Sequence, residues 1–288
     1  MLTTALPRHR TRLFPALLIS AALLAGCGGG SSSTPRTQSD PTSTAAAPTG
    51  TGDPSASTPS TPTPTVGTVS IAAHTIKFDV SGIGKSPMTT PAVDTPTSGS
   101  IILVQVLTQN GGTFSSLTDN KGNTYTRIGG AQTYAGVGAG SYLYACVNAK
   151  GGQGQTWSLI KTSSYEDNEA TLFVVVVSGA SAIGSWTYSN THANDSANPL
   201  TTTGPNSLVV SFWGPADFTG SSSDPTNDYI APAGWTRLDI GNNSLNSNSG
   251  ADAWQTVRTA GTAVNPMWSA VDAINNPTSS MWLVEVKP

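Results

Sequence analysis

The chain reads as all-β, and three observations predict it. Short runs rich in Val, Ile, Thr, Tyr and Trp alternate with clusters of Gly, Asn, Asp and Ser beyond about residue 66. No window there holds an apolar period of 3.6 over three turns, so no helix is expected. The same region also repeats itself at an offset of about 110 residues. The expected architecture is two tandem, internally repeated β-sandwich halves, jelly-roll or immunoglobulin-like, following a disordered stalk. Residues 1–26 form a leader, 27–66 the stalk, 67–180 the first half and 181–288 the second.

The leader opens with Arg8, Arg10 and Arg12 and continues through an apolar stretch over residues 13–24. Those 12 residues fall short of the roughly 20 a helix needs to span a bilayer. Basic start, short apolar core and small residues before a cysteine are the parts of an export signal. Leu24-Ala25-Gly26-Cys27 resembles the bacterial lipobox. That resemblance implies cleavage before Cys27, diacylglycerol on its sulfur, acylation of the new amino terminus, and membrane partnership through lipid. Several acyl chains hold a protein stably where one holds marginally. With Gly28 and not Asp after the cysteine, the resemblance points to the outer membrane of a two-membraned cell, with the body either periplasmic or surface-exposed.

Between residues 28 and 65 there is no Leu, Ile, Val, Met, Phe, Tyr or Trp, and only Arg36, Asp40 and Asp53 are charged. Such a segment cannot bury enough apolar surface to offset its ordering entropy. A tether is expected, spanning about 35 Å as a coil and about 120 Å if polyproline-like. Its Thr-Pro and Ser-Thr pairs are similar to mucin-like glycosylated stretches.

In the first half, residues 172–177 are apolar on both sides, as in a strand covered above and below. In the second, residues 207–213 place Leu208, Val210 and Phe212 on one side and Val209, Ser211 and Trp213 on the other, which predicts a strand between core and a mixed face. Turns are expected at Asn110-Gly111-Gly112, Lys121-Gly122-Asn123, Lys150-Gly151-Gly152 and Ala260-Gly261-Thr262. The repeat aligns Tyr125-Thr126-Arg127-Ile128 with Trp235-Thr236-Arg237-Leu238, Tyr144 with Trp254, and Leu172-Phe173-Val174 with Trp282-Leu283-Val284. After a one-residue slip it aligns Trp157 with Trp268, and Pro87-Met88-Thr89-Thr90 is similar to Pro199-Leu200-Thr201-Thr202. Aromatics used twice are expected to pack the core.

Asp119-Asn120-Lys121-Gly122-Asn123-Thr124-Tyr125, the later Leu143-Tyr144-Ala145, Val177-Ser178-Gly179 and Pro232-Ala233-Gly234-Trp235-Thr236 resemble recurring modules of secreted bacterial proteins of β-sandwich type. Such modules accompany adhesive or carbohydrate-active domains. The motifs are turn and core signatures, so the resemblance implies fold and carries no catalytic residue across.

Cleavage at Cys27 would leave 10 basic against 16 acidic side chains, a formal charge of −6, with no basic cluster, which excludes a nucleic-acid partner. Cys146 would then be the sole thiol, so no internal disulfide is expected; it reads as a small buried hydrophobe. His74 and His192 sit in no nucleophile elbow, metal-binding helix or close carboxylate pair. Gly82-Ile83-Gly84-Lys85-Ser86 reads as a turn and Gly136-Val137-Gly138-Ala139-Gly140 as a loop, because neither opens a helix that would hold phosphate. Glu166, Asp167 and Glu169 crowd one polar segment, whereas glycosidase carboxylates face each other across a bond. Asp119, Asn120 and Asn123, or Asp224, Asn227 and Asp228, offer calcium-type oxygens without calcium-loop spacing, and turn chemistry accounts for them. No cofactor, metal or catalytic constellation is expected.

Aromatic rings that stack on sugars are the remaining candidates for function. Seven Trp and seven Tyr lie beyond the stalk. Trp235, Trp254, Trp268 and Trp282, with Tyr125, Tyr144 and Trp157, belong to the repeated framework. Trp186, Tyr188 and Trp213 are left as candidate ligand contacts. The expected function is a lipid-anchored envelope protein whose head binds a glycan or surface-protein ligand in adhesion or glycan recognition. The alternatives are a polysaccharide hydrolase, with Glu166 or another acid as catalyst, and a structural envelope or assembly component.

Overall fold

Side-chain alternation along short strands builds two successive sets of strands. The computed structural model describes residues 68–79, 86–108, 112–134, 139–162, 169–192, 197–215, 229–241, 249–270 and 278–288. The leader, Cys27 and the stalk lie outside the described residues, as do 82–85, 110–111, 136–138, Glu166, Asp167, Asp224, Asn227 and Asp228.

The first set is β1 (Ser70–Phe78), β2 (Met88–Thr89), β3 (Ser100–Thr108), β4 (Phe114–Asp119), β5 (Thr126–Tyr134), β6 (Ala139–Ala149), β7 (Trp157–Lys161) and β8 (Ala170–Ser178). The second is β9 (Ala182–His192), β10 (Leu200–Thr201), β11 (Ser207–Pro215), β12 (Tyr229–Ile230), β13 (Thr236–Gly241), β14 (Gly250–Val257), β15 (Ala263–Val264), β16 (Ser269–Ala270) and β17 (Thr278–Lys287).

Each set makes one large antiparallel sheet. The orders are β1-β8-β3-β6-β5 and β9-β17-β11-β14-β13, which is one topology used twice. The first large sheet is covered by β2-β7-β4; over the second, the part of β7 is divided between β15, which pairs β10, and β16, which pairs β12. The all-β architecture with tandem halves expected from the sequence is the one observed.

Register carries the repeat to single residues. Thr75, Val174, Val104, Tyr144 and Arg127 form one row across the first sheet, and Thr187, Leu283, Ser211, Ala253 and Arg237 form the same row across the second. Arg127 and Arg237 correspond as the sequence alignment has them, but Tyr144 corresponds to Ala253, and Trp254 to Ala145. In β17 the counterpart of Trp282 is Phe173, where the alignment has Leu172. Both corrections are one-residue slips, and in a strand a slip of one moves a side chain to the opposite face.

Three apolar cores result. The inner core joins the two large sheets through Leu103, Phe173 and Val175 of one and Val210, Trp282 and Val284 of the other. Outer cores lie under the covers, one around Met88, Trp157 and Leu159 and the other around Trp213, Tyr229 and Trp268. The described residues fall in one compact unit. β11 is therefore buried on both sides, and the mixed face expected for it is instead the floor of an outer core, with Ser211 accepting a hydrogen bond from Trp268 Nε1 at 2.9 Å. Hydrogen bonds also cross the inner core: Trp282 Nε1 donates to Ser141 Oγ at 2.9 Å.

Each of the four outer strands, β1, β5, β9 and β13, shows a shift of register against its neighbour. Where the sheets meet at their edges, β1 faces β13 and β5 faces β9. At the second seam Asn190 Nδ2 donates to the Thr133 carbonyl at 3.4 Å.

Candidate functional site: a groove at the β5–β9 seam

The two seams are built at equivalent positions with different chemistry. In the ladders His74 occupies the place that Trp186 has in the second sheet, and Asp239, two residues after Arg237, corresponds to Gly129, two after Arg127. At the first seam His74 Nδ1 donates to Asp239 Oδ2 at 2.9 Å, and the Asp239 amide donates to Oδ1 of fully buried Asp252 at 2.8 Å. The hydrogen bond to Asp239 raises the His74 pKa against the opposing effect of burial, while burial and then the Asp239 charge push Asp252 well up. The sequence reading, which pairs neither histidine with a carboxylate, misses this contact because 165 positions separate the partners.

At the second seam Trp186 lies over Gly129. That glycine has φ +65°, a left-handed conformation, and a Cβ there would sit 2.8 Å from the Trp186 ring. Trp282 flanks the indole at a centroid distance of 5.9 Å. Trp186 remains 43% exposed, one of five large apolar side chains that are exposed among the described residues.

A cavity of about 570 Å³ opens beside it, bordered by Thr126, Arg127, Ile128, Ala145, Val147 and Trp186 among others. A second, of about 290 Å³, lies between β4 and the sheet and is lined by Phe114, Leu117, Tyr125, Arg127, Tyr142 and Tyr144 with neighbouring residues. Strand alternation explains how one edge serves both. Tyr125 and Arg127 line the aromatic cavity while Thr124, Thr126 and Ile128 line the wider one. Arg127 borders both. No acidic residue lines either cavity among the described residues.

The aromatic cavity has a firm back wall. Asp119 Oδ1 accepts from the amides of Lys121 and Asn123, and Oδ2 accepts from Asn123 Nδ2, Tyr125 Oη and Gln155 Nε2. Tyr125 Oη in turn accepts from Trp157 Nε1 at 2.6 Å. Burial would raise the Asp119 pKa, but the bonds from Tyr125, Asn123 and Lys121 outweigh it and hold it below the ordinary value. The aspartate–glycine–tyrosine motif is thus a turn whose carboxylate is filled by protein donors. The proline–glycine–tryptophan motif is a second turn, closed by Trp235 N–H to Pro232 O at 3.0 Å with Gly234 at φ +82°.

Of the three candidate aromatics, only Trp186 faces the groove openly. Tyr188 is half-buried on the inner core, 4.8 Å from Trp282 with its hydroxyl bonded to Asn190 at 2.8 Å, and burial raises its pKa. Trp213 is a correction: it has no exposure, stacks on Trp268 at 5.5 Å and meets Tyr229 edge-on. Its outer side lies under β12 and β16, a cover built from residues that the strand's own alternation does not reveal. Framework Trp157, Trp268 and Trp282 are buried, Trp235 and Trp254 half-buried on the cores. Cys146 is buried and its thiol pushed up, first by burial and then by the Asp119 charge. Glu169 is buried and the His192 side chain lies outside the described residues. Among the described residues no group of three His, Cys, Asp or Glu is placed to hold a metal.

Fold and groove together describe a duplicated β-sandwich with an aromatic-edged cleft at one seam. No family model matches the chain, and neither a curated protein nor a solved structure is significantly similar to it.

Proposed function

We propose that the head is a glycan-recognition module, working in adhesion or capture at the cell envelope and tethered there through lipid on Cys27. The observation that carries this reading is the exposed Trp186 ring, braced by Trp282 and seated on Gly129 at the rim of an open cavity. A braced indole loses little conformational freedom on stacking against the apolar face of a sugar, while Thr124 and Thr126, with Tyr142 and Tyr144 of the adjoining cavity, supply hydroxyl partners. A tethered head gains effective concentration when many copies engage one surface.

A glycan array probed with the full chain tests the reading. Trp186→Ala is expected to weaken binding by about tenfold or more, with thermal unfolding little changed because the ring is partly in solvent. Trp213→Ala is expected to cost about 3–5 kcal/mol of stability from its buried position. Unchanged binding in folded Trp186→Ala protein would overturn the assignment.

A further inference from the structure

We propose that the groove selects carboxylated saccharides, with Arg127 as the residue that reads the acid. This deepens the glycan reading and rests on it.

Among the described residues Arg127 is the only charged one lining the two cavities, and it borders both. The rest of the described lining is hydroxyl, aromatic, aliphatic or glycine, so no described lining residue carries a charge to offset the guanidinium. In a chain with 13 basic and 16 acidic side chains, a lone cation set in a neutral aromatic cleft runs against the overall balance. At physiological ionic strength charges more than about 8 Å away are largely screened. The nearby arginine therefore outweighs the net negative charge for a ligand already in the cleft.

The second half shows what the same position does when it serves packing. Arg237, the counterpart of Arg127, donates from Nη1 to the Tyr229 carbonyl at 2.6 Å. There the space between sheet and cover is filled by Trp213, Tyr229 and Trp268. In the first half the ladder places Val106 where Trp213 stands and Leu117 where Tyr229 stands. Tyr142 and Tyr144 stand where the second half has Ala251 and Ala253, and with Leu117 they line a cavity that stays open, with Arg127 at its edge and exposed. One framework thus holds a filled cleft with a committed arginine and an open cleft with an available one. A planar guanidinium meets a planar carboxylate through two parallel hydrogen bonds, a geometry suited to a uronic acid whose ring stacks on a neighbouring aromatic.

The test uses the full chain against oligogalacturonate, its methyl ester and a panel of neutral oligosaccharides, by calorimetry at low and physiological salt. The acid form is expected to bind about tenfold or more tighter than its uncharged ester, with the difference shrinking as salt rises. Arg127→Gln is expected to abolish that difference, and Trp186→Ala to weaken both forms. Equal binding of acid and ester, a preference that survives Arg127→Gln, or binding of neutral sugars alone would overturn the inference and leave the glycan reading standing. Binding of no saccharide in the panel would overturn both.

Discussion

At Glu285 five donors converge on one buried carboxylate: the amides of Ser185, Thr203 and Gly204 and the hydroxyls of Thr203 and Ser207. Burial alone would raise its pKa, yet these bonds hold it at about 2, below the ordinary value of 4.5. A depressed folded-state value means the stabilisation is fully present above about pH 4.5 and is lost as pH falls toward 2. Glu285→Gln is expected to lower stability at pH 7 by about 3 kcal/mol and to flatten the acid limb of a stability profile measured by urea unfolding. The position aligns with Val176 of the first half. Its role is thus to tie β9, the β10–β11 connection and the start of β11 to the sheet, where the first copy has an apolar side chain.

Between strands, the β5–β9 seam depends on Gly129. Gly129→Ala is expected to cost about 1–2 kcal/mol through its left-handed backbone, and the added methyl must displace the Trp186 ring it would meet at 2.8 Å. Ligand affinity is expected to fall with stability largely retained; a variant that binds as the parent does would show that the ring position is immaterial. At this scale the strands themselves were legible, because apolar alternation and turn residues are local properties. The clustering of donors on Asp119 agrees with the turn read from its spacing. The facing of β11 was not legible, since the burial of Trp213 is decided by Tyr229 and Trp268 on a cover remote in sequence. The His74–Asp239 contact was hidden for the same reason, and the slip at Trp254 came from matching aromatic to aromatic where the ladder matches aromatic to alanine.

Over the whole molecule the two large sheets share one inner core, and each offers the other its apolar face. A fragment of residues 67–180 would leave Leu103, Phe173 and Val175 uncovered. Expressed alone, it is expected to associate or bind a hydrophobic dye, whereas the full chain is expected to unfold in a single transition by circular dichroism and tryptophan fluorescence. A stable, monomeric first half would show that the interface between copies is dispensable. The duplication was visible in the sequence because turns and core aromatics recur in order. The groove was not, because it lies where the two copies differ: Trp186 against His74, Gly129 against Asp239, Leu117 against Tyr229.

The irregular pairing at all four rims has a consequence for behaviour in bulk. Strands that end a sheet carry unpaired amides and carbonyls, and a straight rim is a template on which another molecule can continue the ladder. Here β1, β5, β9 and β13 each break step with their inner neighbour, so no rim presents an uninterrupted, evenly spaced row of donors and acceptors. A head whose described residues are two-thirds strand is therefore expected to stay free of fibres even at high local density.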